Sequence, residues 1–381
     1  KPTLPGLPST FPGEEDCDTL ILHLEDQTTG LTAELIYTTF EKVDVITRSV
    51  ILKNTAGQPI YVTKVMSACL DLDCTDEKYD ILTLHGSWAR ERQMERRSLM
   101  HGKQSVDSVR GESSHQEHPF IALLSADATQ DAGEVYGMHF VYSGNFLAQV
   151  EKNQFDSLRV VMGIHPQDFK WELKQDETFT APEVVMTYSD AGLGRMTRTL
   201  HDLYRKHLIR SPYKDRERPV LINNWEATYF DFDTEKLLAI AREAKKSGIE
   251  MLVMDDGWFG HRNDDNTSLG DWQVNEQKIT GGLKRLVDQV NEIGLKFGIW
   301  FEPEMISPDS ELYRTHPDWA IALPGRMPCR SRNQYVLDLS RKEVRDYAYE
   351  CVASILRSAN IAYVKWDMNR QLTDLGSGVL P

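Results

Sequence analysis

The segment "TEKLLAIAREAKKSGIEMLVMDDGWF" (234–259) decides the fold of the second half of the chain. Four apolar residues of its first part recur on one helical face: Leu237, Leu238, Ala241 and Ala244. The helical pattern ends at Gly248, a residue type that commonly terminates helices, and an apolar run closed by Asp255 and Asp256 follows. The segment therefore predicts a helix, a tight turn and a buried strand, which together form the repeating unit of an α/β domain.

Two more units of the same kind follow along the chain. "GGLKRLVDQVNEIG" (281–294) is a second apolar-faced helix that stops at a glycine, and "LKFGIWFEPE" (295–304) is the next strand. In "SRKEVRDYAYECVASILRSAN" (340–360), the first serine and the glutamate three residues later have capping-box spacing, and the final asparagine tolerates a left-handed cap. The strand in "IAYVKWDMNR" (361–370) comes next. Together with a first strand in "PVLINNWE" (219–226), these units predict a parallel sheet.

The first half of the chain has a different pattern of apolar and turn-forming residues. In "RSVILKNTAGQPIYVTKVMSACLDL" (48–72), two β-rich runs flank a turn-forming Asn-Thr-Ala-Gly-Gln-Pro stretch, which predicts a hairpin. Similar short runs continue to about residue 180, and this pattern favours an antiparallel β-sandwich. An amphipathic helix at 194–209 and a charged linker at 210–219 follow. We therefore expect a β-sandwich domain with a linker helix over 1–212 and an α/β domain over 213–381.

Composition and charge exclude several classes of function. The formal net charge is −15, which disfavours nucleic acids and anionic membranes as partners because both require a basic surface. The five cysteines are scattered, at positions 17, 69, 74, 329 and 351, and form no zinc-type pair, so a reducing, cytoplasmic location is expected. The histidines form no metal-binding motif, and neither a GxGxxG sequence nor a P-loop occurs. We therefore expect neither a metal nor another cofactor.

Polar and aromatic residues follow each of the four predicted parallel strands. They are Asn223, Asn224, Trp225 and Glu226 after the first strand, Asp255, Asp256 and Trp258 after the second, Trp300, Glu302 and Glu304 after the third, and Lys365, Trp366, Asp367 and Asn369 after the fourth. In a βα barrel, the carboxyl ends of all strands meet on the face that forms the active site. The sequence therefore predicts that carboxylates and indoles gather on one face.

Three interpretations of this gathering compete. A single aspartate after a strand is usually a turn or capping residue, but four strands in succession are hard to explain in that way. A ring of carboxylates could instead hold a divalent cation, although tryptophans have little use in such a cage. Indoles that stack on sugar rings, with carboxylates that accept bonds from hydroxyl groups, fit a carbohydrate site better. A pair of carboxyl groups could then cleave a glycosidic bond.

These motifs resemble glycoside hydrolase family 36, the bacterial-type α-galactosidases. The resemblance comes from "MDDGWF", "GIWFEPEM", "DLS" and "KWDMNR" in this order, together with "INNWEATYF" (222–230). "LHGSWARER" (84–92) and "RGESSHQEHPFIAL" (110–123) resemble the β-sandwich domain that precedes the barrel in this family. The resemblance implies a supersandwich-like β-domain followed by a (β/α)8 TIM barrel, of which this sequence contains strands one to four.

The resemblance also implies roles for the residues of "KWDMNR". Asp367 matches the catalytic nucleophile, which would form a covalent glycosyl-enzyme and so retain the anomeric configuration. Lys365 and Asn369 would bind sugar hydroxyls, and the charge of Lys365 would favour the ionised form of Asp367. Because side chains alternate along a strand, these three would share one face while Trp366 and Met368 pack on the other.

Other positions match substrate-binding residues of the family. Asp255 and Asp256 match the pair that holds the 4- and 6-hydroxyls of galactose, and Trp225 and Trp300 match aromatic residues of the sugar pocket. Arg332 matches an arginine near the nucleophile. Glu302 is a further possible site residue, although structural roles are favoured for it and for Glu304. The exposed-looking loop 261–268 favours no function, and Trp88 could reach the active site of another subunit.

The resemblance places the second catalytic carboxyl, the acid/base, beyond Pro381, and Asp374 is no convincing substitute. We therefore expect a fragment that lacks barrel strands five to eight and the start of the sandwich, and that is inactive alone. The expected activity of the whole is that of a retaining α-galactosidase on raffinose- or melibiose-type sugars, in a cytoplasmic homotetramer. An α-N-acetylgalactosaminidase, a galactosyltransferase and a non-catalytic sugar-binding relative stay open as alternatives.

Overall fold

The computed structural model describes residues 1–13, 17–73, 78–373 and 376–380, so Cys74 and Asp374 lie outside the described residues. The chain divides into two compact units, Lys1–Arg216 and Glu217–Pro381. We call them unit 1 and unit 2. The predicted domain boundary at residue 212 lies close to this division.

Unit 1 is formed mainly by antiparallel strands. The strands are β1 Cys17–Asp26, β2 Leu31–Phe40, β3 Val43–Asn54, β4 Ile60–Val62, β5 Met66–Leu72, β6 Tyr79–Ser87, β7 Arg90–Ser98, β8 Gly102–Ser108, β9 Glu117–Ser125, β10 Val135–Phe140, β11 Phe146–Lys152, β12 Leu158–Ile164, β13 Trp171–Leu173, β14 Thr178–Thr180 and β15 Val184–Ser189. The larger sheet has the order β1-β2-β3-β15-β10-β9-β6-β7, with β14 also on β3, and a second sheet has the order β5-β12-β11-β8.

The core of unit 1 lies on both faces of the larger sheet. One apolar cluster contains Ile121 and Phe140 from the larger sheet together with Phe146 and Met162 from the smaller one, as in a sandwich. A second cluster covers the opposite face with helix α1, Gly192–His207, which buries the predicted apolar residues Met196, Leu200 and Leu203. Strand β9 is therefore buried over most of its length. The predicted antiparallel sandwich is confirmed.

The hairpin predicted for residues 48–72 is wrong. Strand β3 pairs with β2, β14 and β15, and the following strands β4 and β5 pair with β13 and β12. The cause is local, because the Asn54 amide donates to the carbonyls of Gln58 and Leu173, both at 2.8 Å. This side chain turns the backbone away from β3, whose two edges are already occupied.

Unit 2 alternates strands and helices. Its elements are β16 Leu221–Asn223, α2 Trp225–Thr228, α3 Thr234–Lys246, β17 Met251–Met254, α4 Leu283–Ile293, β18 Lys296–Phe301, β19 Met305–Ile306, α5 Glu311–Thr315, a 3₁₀ turn Pro317–Trp319, β20 Tyr335–Val336, α6 Lys342–Ser358 and β21 Ile361–Trp366. Strands β16, β17, β18 and β21 form a parallel sheet in chain order. The predicted partial (β/α) barrel is confirmed.

The observed helix ends agree only in part with those predicted from the sequence. The carboxylate of Asp233 caps α3 by accepting from the Lys236 backbone, and Gly294 ends α4 in the left-handed conformation at φ +91°. The capping box predicted for α6 is wrong, because the Ser340 hydroxyl donates to Asp338 and the cap residue is Arg341. The predicted left-handed cap at Asn360 is also wrong, since α6 ends at the extended residue Ala359.

One apolar core supports the parallel sheet. Helices α3 and α4 pack Leu238 and Val287 against Leu252 and Phe297 of the strands. Because all four strands run in the same direction, their carboxyl ends lie at one edge of the sheet, and the polar residues predicted for the site follow these ends. Within the described residues, no helix combines the length and the apolar character needed to cross a membrane.

Candidate active site

Asp255 follows β17 and forms the centre of a polar cluster. Its side chain is buried, and its Oδ2 accepts from Asn223 Nδ2 at 2.5 Å and from Lys365 Nζ at 2.7 Å. Its backbone N–H donates to Asn224 Oδ1 at 2.8 Å. Residues in or directly after the three strands β16, β17 and β21 therefore meet at this carboxylate. Lys365 forms its ion pair with Asp255. The resemblance instead implied that the charge of Lys365 favours the ionised form of Asp367.

Asp256 forms a second, separate contact. Its carboxylate binds the Arg262 guanidinium, with Nη2 to Oδ2 at 2.9 Å, and both side chains are buried. Burial raises the pKa of Asp256, while Arg262 acts in the opposite direction. The loop 261–268 is therefore only partly the solvated loop expected from sequence, because Arg262 and Ser268 are buried in it. Both oxygens of Asp256 accept from Arg262, at 3.0 Å for Oδ1 and 2.9 Å for Oδ2.

Asp367 directly follows β21. Its Oδ2 accepts from Trp300 Nε1 at 2.9 Å and from Asn369 Nδ2 at 3.0 Å. Its backbone N–H donates to the Phe301 carbonyl at 2.8 Å, which extends the pairing of β21 with β18 by one residue. Among the described residues, Oδ1 has no hydrogen-bond donor. One oxygen of Asp367 is therefore held in place while the other is available to react.

Glu302 and Glu304 contact different neighbours. Glu302 is buried, and its carboxylate accepts from the Asn369 backbone N–H at 2.6 Å, from Asn369 Nδ2 at 3.2 Å and from Gln334 Nε2 at 3.0 Å. Burial, with a smaller contribution from the charge of Asp367, raises the pKa of Glu302 to about 7. Glu304 accepts from Trp366 Nε1 at 2.8 Å, and burial raises the pKa of Glu304 as well.

The tryptophans of the site differ in exposure. Trp300 is only 1% exposed, so it contacts the site through its indole N–H and presents little ring surface for stacking. Trp225 is half-buried, at the first position of α2, and its ring packs edge-on against Tyr229 and Phe230. Trp366, expected from strand alternation to pack inward, is 57% exposed.

Within the described residues, the side chains of Arg332 and Trp88 take part in none of these hydrogen bonds. Arg332 and Asn333 form the two central residues of a tight hairpin turn between Ser331 and Gln334, with φ of +50° and +60°. Arg332 is exposed and has no ion pair or side-chain hydrogen bond within the described part of the chain. Trp88 belongs to unit 1, at the tip of the β6–β7 hairpin, and is 86% exposed.

Sequence reasoning missed three positioning side chains, namely Arg262, Gln334 and Lys278. Lys278 Nζ donates to the carbonyls of Phe230, Gly257 and Arg262 at 2.9, 3.0 and 3.2 Å. It thereby joins the loop after α2 to the loop after β17. Only Arg262 had a signal in the sequence, because two adjacent aspartates at the end of a buried strand require a nearby cation. The others became recognisable only when the fold brought distant segments together.

Within residues 1–13, 17–73, 78–373 and 376–380, no group of three or more His, Cys, Asp or Glu side chains is arranged to hold a metal ion. At this edge of the sheet, the side chains provide one carboxylate with a free oxygen, a partly buried Asp–Lys pair and a second, buried carboxyl group with a raised pKa. Such an arrangement can bind hydroxyl groups and supply a nucleophile.

Comparisons with known proteins identify the family of the chain. Residues 178–381 match the Melibiase family model, and residues 1–174 match that of the Glycosyl hydrolase family 36 N-terminal domain. The chain is 54% identical to the α-galactosidase AgaA of Geobacillus stearothermophilus and 49% identical to the α-galactosidase Mel36A of Lactobacillus acidophilus, over its whole length in both cases. Each match covers 52% of the relative, so the chain spans about half the length of the curated relatives it matches.

Solved structures of α-galactosidases of the same family superpose closely on the chain. The crystal structure of AgaA superposes with a TM-score of 0.97 over 100% of this chain and 53% of AgaA. Substituted forms of AgaA have been crystallised in complex with raffinose and with stachyose, and they superpose with TM-scores of 0.97 and 0.96.

Proposed function

The chain belongs to glycoside hydrolase family 36, and from this premise we propose that the full gene product is a retaining α-galactosidase. Its substrates would be galacto-oligosaccharides of the raffinose and melibiose type with a terminal α-linked galactose. The observation on which the proposal rests is the geometry of Asp367, whose Oδ2 is held by two donors while Oδ1 has none among the residues that the structure describes. The relatives named α-galactosidase support the reaction, and the raffinose and stachyose complexes of AgaA support the substrate class.

The reaction follows a double displacement. Oδ1 of Asp367 attacks the anomeric carbon, and the bond from that carbon to the leaving oxygen breaks as this oxygen takes a proton from a second carboxyl group. Family resemblance assigns that group to a residue outside this chain. Water, deprotonated by the same group, then attacks the anomeric carbon and Asp367 leaves as a carboxylate. Two inversions at one carbon retain the configuration.

The neighbouring residues would bind the sugar. The Asp255 carboxylate can accept from hydroxyl groups, and Lys365 Nζ can donate to them while still paired with Asp255. A buried carboxylate fixed in this way would be left without its partner by an epimer that lacks the matching hydroxyl, which gives strong discrimination. Asn369 and Arg332 would contact the sugar near the reacting carbon, and the half-buried Trp225 would contact its apolar face.

The test replaces the nucleophile. Asp367→Ala in the full gene product should lower kcat on an aryl α-galactoside by about 10³-fold or more, because the covalent step is lost. Added azide should restore turnover and give the β-galactosyl azide, the inverted product. Glu276→Ala, which removes an exposed carboxylate of the same unit, is the matched control and should leave kcat unchanged. Unchanged activity of Asp367→Ala would remove Asp367 as the nucleophile.

We further propose that the full gene product is a cytoplasmic homotetramer in which Trp88 contacts a neighbouring subunit. An indole that is 86% exposed is unusual on a free surface and common at the centre of interfaces. The unpaired thiols Cys17, Cys69, Cys329 and Cys351 fit a reducing compartment. Light scattering should give a tetramer for the natural sequence and smaller species for Trp88→Ala. A tetramer of unchanged stability in the variant would contradict this role of Trp88.

A further inference from the structure

Glu302 is the most completely enclosed carboxyl group next to Asp367. It follows β18, and its side chain is only 1% exposed, so it has no surface with which to touch a sugar. Its two oxygens accept three hydrogen bonds, two from Asn369 and one from Gln334. Every group that is hydrogen-bonded to this carboxylate in the described residues is a donor. The group therefore acts on the site only through the residues that it holds.

Asn369 transmits this contact to the nucleophile. Its backbone N–H and one hydrogen of its amide bind Glu302, which leaves the other amide hydrogen for Asp367 Oδ2 at 3.0 Å. Trp300 donates to the same oxygen at 2.9 Å. If Asn369 turned away, Oδ2 would keep only one of its two donors, and Asp367 would be free to rotate between its two oxygens.

We propose that Glu302 is a positioning residue, which fixes the Asn369 amide on Asp367 Oδ2 and so keeps Oδ1 directed at the reacting carbon. This inference rests on the proposed role of Asp367 as the nucleophile. This role differs from sugar binding, because Glu302 does not reach the ligand. It also differs from simple packing, because the hydrogen bonds of Glu302 lead through Asn369 to the carboxylate of Asp367.

The charges around Glu302 make this role dependent on pH. Asp367 is the acidic group that faces Glu302. On the far side of Gln334, the Arg370 guanidinium donates to the Gln334 backbone carbonyl. Burial and the charge of Asp367 raise the pKa of Glu302 to about 7. A protonated Glu302 would direct its own O–H at groups that are themselves donors, and this would weaken its hold on Asn369. The kcat of the enzyme should therefore contain a titration step near neutral pH.

The first experiment compares Glu302→Gln with Glu304→Gln in the full gene product, by measuring kcat and KM on an aryl α-galactoside from pH 5 to 9. Glutamine has one acceptor and one NH2 group, so it cannot accept from all three donors. We expect Glu302→Gln to lower kcat by about 10- to 100-fold, the usual effect of a small misplacement, with KM nearly unchanged and the neutral titration step absent. Glu304→Gln, whose carboxylate contacts Trp366, should keep the step.

A second variant covers the case in which Glu302→Gln does not fold. Gln334→Met removes one donor from Glu302 and leaves its carboxyl group in place, so the titration step should move to higher pH. A step that stays at the same pH in Gln334→Met, or a pH profile of Glu302→Gln identical to that of the natural protein, would overturn the inference.

The azide rescue of Asp367→Ala tests the proposed function independently of Glu302. If it succeeds while Glu302→Gln has no effect, only the role of Glu302 fails; if Asp367→Ala keeps full activity, the proposed function itself fails.

Discussion

The contact between Asp256 and Arg262 is a buried ion pair, and its energetic role can be predicted. Arg262→Met should destabilise unit 2 by about 3–5 kcal/mol, because Asp256 would be left as an uncompensated charge in a buried position. The loss should grow as the pH rises, since the pKa of Asp256 is already raised by burial and only its ionised form lacks a partner. Urea unfolding of the chain at pH 5 and pH 8 measures both effects.

Arg314→Met is the matched control for this prediction. Arg314 pairs with Asp309 and Glu311 on the surface of the same unit, where solvent screens such pairs and they contribute little to stability. The double variant Arg262→Met with Asp256→Asn should recover part of the lost stability, because the buried charge is then removed. Equal destabilisation by Arg262→Met and Arg314→Met would contradict the importance of the buried pair.

Glu302 provides a second prediction at the scale of one residue. Its pKa rises from an ordinary value of 4.5 to about 7 on folding, so the folded chain binds this proton more tightly than the unfolded chain. Stability should therefore fall by about 3 kcal/mol as the pH rises from about 4.5 to about 7. Glu302→Gln should remove this part of the pH dependence of unfolding, and Glu276→Gln, an exposed position, should keep it. Parallel curves for all three proteins would count against the shift.

Sequence could predict which residues gather at the site but could not assign the partners within it. The positions of Asp255, Lys365 and Asp367 follow from the rule that parallel strands end on one face. The pairing of Lys365 with Asp255 spans the strand between them, β18, and the Trp300 indole bonds to Asp367 from the neighbouring strand, so both contacts depend on side-chain geometry across the sheet. Spacing along a single strand contains no information about such contacts.

At the scale of loops, Lys278 joins segments that are distant in the sequence. Lys278→Met should destabilise unit 2 by about 1–3 kcal/mol and should speed amide hydrogen exchange in residues 257–263, because three backbone carbonyls lose their donor. Lys284→Met removes an exposed ammonium that pairs with Asp288, and it should change neither quantity appreciably. Exchange rates that stay the same in Lys278→Met would show that other contacts hold this loop.

Helices and strands were predictable where an apolar pattern extended over many residues. They were not predictable where a single side-chain contact determined the course of the backbone. Helices α3 and α4 and the four parallel strands follow from apolar patterns that tertiary packing reinforces. The hairpin at 48–72 failed because the Asn54 side chain redirects the backbone to a different sheet. The capping box of α6 failed because Asp338 competes for the Ser340 hydroxyl. In both cases a local signal was overridden by one polar contact.

At the scale of the whole chain, the prediction concerns activity. The isolated 381 residues should not hydrolyse an aryl α-galactoside, because the described residues include the proposed nucleophile Asp367 but no exposed second carboxyl group that we assign as acid/base. A sensitive fluorogenic galactoside, tested beside the full gene product at equal concentration, gives the measurement. Circular dichroism and a melting curve are needed as a control, so that loss of folding is not mistaken for loss of chemistry. Measurable turnover by a pure, folded chain would contradict the assignment.

The separate cores of the two units have a consequence for biosynthesis. The apolar clusters of unit 1 lie entirely within residues that precede Glu217, and those of unit 2 lie entirely after it. A ribosome therefore completes every residue of the sandwich core before it translates the codon for Asp255. Domains generally fold as units during synthesis, with the N-terminal one first. The nascent chain can thus hold a folded sandwich before the carboxylates Asp255 and Asp367 have been added to it.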